Sequence, residues 1–213
     1  LSHPDPDHLN GLVFIARHFN VQQVWMTGDV VSSPVYKDFQ HILSEQQIRV
    51  VGLEDLAGSR TVKGVTFQVL YPPWDFLKRK RKDLWRTTNN NSLVLRVSYK
   101  ESSFLFPGDI EAEAEEELIA QAGEALKSDA LLVPHHGSKT SSTPAFLKYV
   151  DPAIAVISAG RKEIFGLPSE KIVKRYAAWG SQILRTDQAG AITITTDGKD
   201  LKVTPFLSAP SES

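Results

Sequence analysis

The chain has no cysteine in 213 residues, which removes two classes at once: a disulfide-stapled scaffold and a zinc site built on thiolates. No apolar run comes near the ~18 residues that a membrane-crossing helix needs. An excess of one charge sign is missing as well. Twenty-four basic residues against 25 acidic ones leave a net charge of −1, so any attraction to nucleic acid or anionic lipid has to be local. No internal repeat and no Gly/Ser-rich linker divides the sequence. What is present is ordinary for a globular protein: 41% hydrophobic and 23% charged residues, enough for one sizeable core at this length. The chain opens directly on Leu1-Ser2-His3, without the charged and apolar regions of a secretory leader, and reads as a fragment of something longer.

Strand-like and helix-like stretches alternate. Helices are expected over Leu9–Phe19, Ile110–Leu126, Thr143–Val150 and Pro168–Trp179. Strands are expected over Val21–Thr27, Ile48–Gly52, Thr61–Tyr71, Ser92–Tyr99, Ser103–Pro107, Asp129–Pro134, Ala153–Ser158 and Ile183–Thr186. A last pair, Ala191–Thr195 and Leu201–Thr204, is split by the hairpin signal Asp197-Gly198. Continuous apolar strands between helices imply a mixed α/β architecture with helices covering sheet. One domain is expected over 1–207, incomplete at its N-terminus, with 208–213 a frayed tail. The six glutamates of Ile110–Leu126 read as a solvated helix face.

His3-Pro4-Asp5-Pro6-Asp7-His8 packs four candidate metal ligands into six residues. In an extended segment, alternation points His3, Asp5 and Asp7 to one side, and His8 turns away as the helix begins. The prolines stiffen the loop, and carboxylates mixed with imidazoles suit Zn²⁺ or Mn²⁺. The bland alternative is a surface turn with Asp7 capping the next helix. Two further strand ends carry ligand-type residues: Asp109 follows Phe106-Pro107-Gly108, where it equally suits a helix cap, and His135 and His136 follow Leu131–Pro134. Asn89–Ser92 taken alone is a turn signal.

The order HPDPDH, NNNSLVL, FLFPGDIE, LLVPHHGSKTSS and LRTDQAGAITI resembles the metallo-β-lactamase superfamily, and within it the soluble C-terminal domain of the ComEC family of competence DNA-uptake channels. The resemblance runs over about residues 1–204. It implies an αββα four-layer sandwich, here with N-terminal strands missing. It implies that His3, Asp5, Asp7 and His8 give the first ligand set, Asp109 bridges two divalent ions, and His135 or His136 is the late ligand. Two ions are expected, Mn²⁺ favoured and Zn²⁺ possible, with Asp7 and Asp109 catalytic and the adjacent Asp7 and His8 facing different ions. Three departures from the family pattern stand out. Strands ahead of the first motif are absent, Asn89–Asn91 stand where a histidine is common, and Gly166-Leu167-Pro168 replaces a Gly-His-Pro segment.

Lys78, Arg79, Lys80, Arg81, Lys82 and Arg86 set six cations against Asp83 alone, a local charge of +5, flanked by Trp74, Phe76 and Trp85. Basic residues interleaved with aromatics suit single-stranded nucleic acid, although such a run is commonly a solvated loop. Combined with the resemblance, the expected function is a metal-dependent DNA phosphodiesterase that degrades the strand not imported. Its expected setting is a soluble domain of a bacterial membrane protein, on the extracytoplasmic side, beside the transmembrane channel portion of the same protein. The alternative is a non-catalytic DNA-binding module of the channel.

Overall fold

A computed structural model describes residues 1–160 and 166–207; the tail expected at 208–213 lies outside the described residues. The chain runs α1 (Pro6–His18), β1 (Gln23–Trp25), α2 (Pro34–Glu45), β2 (Arg49–Val51), α3 (Leu53–Leu56), β3 (Ser59–Val62), β4 (Val65–Tyr71) and α4 (Phe76–Arg79). It continues through β5 (Val94–Tyr99), β6 (Ser102–Phe106), α5 (Ala112–Ala122), β7 (Ala130–Leu132), α6 (Pro144–Val150), β8 (Ile154–Ile157) and α7 (Glu170–Trp179). β9 (Gln182–Arg185), α8 (Thr186–Ala189), β10 (Ile192–Thr196) and β11 (Leu201–Pro205) complete it.

A seven-stranded sheet in the order β3-β4-β5-β6-β7-β8-β9 forms the centre. Its first half is an antiparallel meander, and β6 through β9 are parallel, so α5, α6 and α7 serve as crossovers. Side-chain alternation sorts the strands into two buried faces. Val94, Leu105, Leu131 and Ala155 meet Leu118, Phe146, Leu147, Ile172 and Tyr176 of the crossover helices. Leu93, Leu95 and Val69 face the other way, onto Trp25, Val51 and Leu56. There β1 and β2 form a parallel two-stranded ribbon, and α1 and α2 close over its far side through Leu9, Tyr36, Phe39 and Ile42. Helix, sheet, sheet and helix therefore stack in four layers, as the resemblance implied. The second sheet consists of two separate ribbons, β1-β2 and β10-β11.

Three sequence expectations change. Thr61–Tyr71, read as one strand, splits into β3 and β4, because Lys63 (φ 49°) and Gly64 (φ 82°) make a turn with two left-handed residues. α2 carried no expectation, yet Ser33 caps it by accepting from the Tyr36 N–H at 3.1 Å, and Pro34 opens it. The acidic helix is not simply solvated. Glu115 is fully buried and accepts the Ser142 and Thr143 amides, and Glu117 turns inward to Arg86.

Candidate metal centre

The carboxyl ends of parallel strands are where this class of sheet collects ligand-binding groups, and three loops meet there. After β6, Gly108 and Asp109 turn across the sheet edge. Gly108 sits at φ +63°, and a Cβ on it would lie 2.7 Å from the Ser92 Cβ and 3.0 Å from the Ser2 Cβ, so no larger residue fits that close approach. Asp109 does not cap α5, whose cap position is Glu111. It is almost wholly buried, and its backbone N–H donates to the Ser92 hydroxyl at 3.1 Å.

After β7, His135 (φ 50°) and His136 (φ 53°) are consecutive left-handed residues, a conformation that costs of order 1–3 kcal/mol per residue away from glycine. The His135 N–H donates to the Gly108 carbonyl and the Ser138 N–H to the His135 carbonyl, which holds the turn. Its consequence is that the two rings part. His136 Nδ1 lies 2.9 Å from the Ser158 carbonyl, an acceptor only, so Nδ1 carries the hydrogen and Nε2 offers its lone pair. That Nε2 is 3.3 Å from Asp7, 3.5 Å from Asp109 and 3.3 Å from His8 Nε2. His135 faces elsewhere, toward Glu111 at 3.4 Å and Asn89 at 3.5 Å. Between the two histidines the sequence left open, His136 is the one at the cluster.

Asp7, His8, Asp109 and His136 each present one ligand atom within 4.8 Å of the others. His8, expected to turn away, turns in: its Nε2 is 3.2 Å from Asp109 Oδ1, because α1 starts at Pro6 and its first turn swings the ring back. Asp7 and His8 thus present their ligand atoms to one cluster, where the sequence reading set them toward different ions. His3 is buried beside the cluster, its Nε2 4.0 Å from Asp109 Oδ2 and 3.8 Å from Asp5. That nitrogen is buried without a hydrogen-bond partner. An orphaned imidazole nitrogen and a ring of facing lone pairs fit a divalent cation, which satisfies them without protons. Asp109 is the residue that all three imidazoles approach.

The electrostatics agree. Burial, then the neighbouring His8, lowers the His3 pKa to about 4. Burial opposes a charge on His8, but Asp109, Asp7 and Asp5 together raise its pKa above the ordinary value. Burial likewise works against the Asp109 carboxylate, yet His8, His136 and His3 keep its pKa below normal. Burial, then Asp7 and Asp109, raises Asp5. A pH dependence follows for the metal-free protein. His3 stays neutral in the fold while the unfolded chain takes up a proton below pH 6.5. The stability present above pH 6.5 is therefore lost as pH falls toward about 4, with a slope of up to about 1.4 kcal/mol per unit. His8, raised rather than lowered, acts in the opposite sense: its contribution is present below pH 6.5 and is lost as pH rises through its folded pKa. Urea unfolding at pH 7 and pH 5 checks this, and His3→Gln should flatten the difference.

The basic run is divided. Arg86 is buried, donating to Glu117 at 2.6 and 2.7 Å and to Asp83 at 3.1 Å, with its guanidinium over Trp85. Lys80 binds the buried Asp29 at 2.7 Å, and Arg79 pairs with Asp75 and Glu117. Neither Asp29 nor Glu117 carried any sequence signal, since each partner lies more than 30 residues from its cation. Lys78, Arg81 and Lys82 remain exposed, Lys78 over the Trp74 ring at 5.3 Å.

Comparison with known proteins places this geometry. The metallo-β-lactamase superfamily model matches residues 78–161. The solved structure of CmlA, a diiron β-hydroxylase from Streptomyces venezuelae, superposes with a TM-score of 0.51 at 13% identity, over 86% of this chain and 42% of that one, a likeness of fold. The chain is also similar to competence proteins. It is 31% identical to ComE operon protein 3 of Bacillus subtilis over 90% of this chain and 24% of that protein. It is 39% identical to competence protein ComA of Neisseria gonorrhoeae over 61% of this chain and 18% of that protein. The chain thus spans about a quarter or less of the length of these relatives.

Proposed function

We propose that this chain is a metal-dependent phosphodiesterase domain that cuts DNA during competence DNA uptake and degrades the strand that is not imported. The observation that carries the reading is the convergence of Asp7, His8, Asp109 and His136 beside the orphaned Nε2 of His3. A divalent pair bound there, Mn²⁺ favoured and Zn²⁺ possible, supplies Lewis acidity to a phosphoryl oxygen and lowers the pKa of a water. Asp109 holds both sides of the cluster together. Asp7, the more exposed of the cluster's two carboxylates, is placed to orient a water at the rim. The names of the competence relatives support DNA as the substrate. None of the helices among the described residues is long and apolar enough to cross a membrane. The proposed setting is a soluble domain on the extracytoplasmic side, beside the transmembrane channel portion of one longer protein. The test is a nuclease assay on single-stranded DNA with a metal panel: Mn²⁺-stimulated, chelator-sensitive cutting supports the reading. DNA binding that survives chelation without cutting would replace it with a non-catalytic binding module.

The DNA-contacting residues proposed from the basic run narrow to Lys78, Arg81 and Lys82, because Arg79, Lys80 and Arg86 already hold carboxylates. Replacing Lys78, Arg81 and Lys82 with Gln should weaken single-stranded DNA binding at every sequence. It should also flatten the slope of log affinity against log salt by about 0.7 per lost contact. Stability should not move, since exposed charges contribute little to folding. Hydrolysis of bis-p-nitrophenyl phosphate should be unchanged. An unaltered salt slope, or an equal loss on the small ester, contradicts a phosphate-tracking tip.

A further inference from the structure

A histidine that ligates a metal through Nε2 donates its Nδ1–H to an oxygen, and that oxygen fixes ring orientation and tautomer. The Ser158 carbonyl does this for His136. For the other two rings the neighbours are hydroxyls. Ser2 Oγ lies 3.2 Å from His3 Nδ1 and 3.2 Å from His8 Nδ1. Ser92 Oγ takes the Asp109 N–H on one lone pair and keeps a second for His3 Nδ1 at 3.1 Å, so His3 is shared between two serines while Ser2 meets His8 as well. A serine oxygen has two acceptor positions, enough for one N–H from each ring. The Ser2 backbone is fixed, since the Leu93 N–H donates to its carbonyl at 2.9 Å. The bare Cα of Gly108 leaves the space into which both serines fit.

From this geometry, and resting on the metal reading of the cluster, we propose that Ser2 is a positioning residue that accepts the Nδ1–H of His8, shares that of His3 with Ser92, and aims the two Nε2 atoms at the two oxygens of Asp109. Ser2 makes no contact with metal or substrate in this role; it acts through the two rings. One hydroxyl thereby links the ligand that opens the motif to the ligand that closes it, which explains why His3 and His8 lie tilted at 45° with centroids 4.2 Å apart and still reach different carboxylate oxygens.

The test is titration of the metal-free protein with Zn²⁺ alone, against a competing chelator, for wild type, Ser2→Ala and Ser2→Thr. Ser2→Ala should weaken zinc binding by about 10–100-fold, and Ser2→Thr, which keeps the hydroxyl, should restore most of it. In the zinc-loaded protein the His8 Nδ1–H resonance should shift and exchange faster with water in Ser2→Ala, a change that a merely structural serine would not produce. Melting of the chelator-treated protein should be unchanged. Tight zinc binding by wild type with equal affinity in Ser2→Ala, or an unmoved His8 resonance, overturns the role of Ser2 alone. A lower melting temperature of metal-free Ser2→Ala does the same, by making Ser2 structural. Absence of zinc binding in wild type overturns the metal reading and the proposal with it.

Discussion

Asp109→Ala is expected to abolish metal-dependent cleavage and to lower metal affinity by more than the roughly 10–100-fold typical of removing an outer partner. Its carboxylate is 3.2 Å from His8, 3.5 Å from His136 and 4.0 Å from His3, so three imidazoles lose their common anion in one substitution. The fold should survive. Asp109 fills no part of the apolar core, and the backbone N–H that anchors the turn to Ser92 remains in the alanine variant. Asp109→Asn separates shape from charge, because it keeps the volume and loses the anion. Both variants should be inactive and folded by circular dichroism. Retained Mn²⁺-dependent cutting by either one removes Asp109 from the centre.

The second large effect lies away from the cluster. Glu117→Ala strands the buried Arg86 guanidinium, which then keeps only Asp83 and the Tyr71 hydroxyl. Removing one partner of a buried pair costs about 3–5 kcal/mol, and the partial water access of Glu117 puts the expected loss near about 3. For a chain of this size that is a fall in Tm of about 6–12 °C. The same substitution releases Arg79 and the Tyr71 hydroxyl, so the loop that carries Lys78, Arg81 and Lys82 should lose its seat on α5. Thermal unfolding reads this out. A change within about 1 °C would mean that Arg86 is not held by Glu117.

How far the sequence alone reaches can be judged residue by residue. That His3, Asp5, Asp7, His8 and Asp109 come close together was legible because residues of ligand type stand within six residues or at a Gly-Asp turn, and strand ends are short-range features. The choice between His135 and His136 was not legible. It depends on two left-handed backbone positions and a carbonyl 22 residues away, and no local propensity encodes either. The inward turn of His8 was hidden because the extended-strand alternation stops where Pro6 starts the helix, one turn earlier than the apolar pattern from Leu9 indicates. In the basic run, composition alone shows a solvated, positive stretch. Arg86–Glu117 and Lys80–Asp29 are tertiary pairs 31 and 51 residues apart, invisible to any window of local charge. The mixed α/β character was readable from the apolar strands and the helices between them, and the four layers followed from the family resemblance. α2 escaped because its stripe, Tyr36, Phe39, Ile42 and Leu43, is diluted by Lys37, Asp38, Gln40 and His41 on the solvent side.

Anomalous diffraction from crystals grown with Mn²⁺, recorded above the manganese edge, bears most directly on the metal centre. Two peaks are expected on either side of Asp109, one among Asp7, His8 and His136 and one at His3 Nε2 beside Asp5. No peak at Asp109, or manganese bound through His135 in place of His136, would contradict the account.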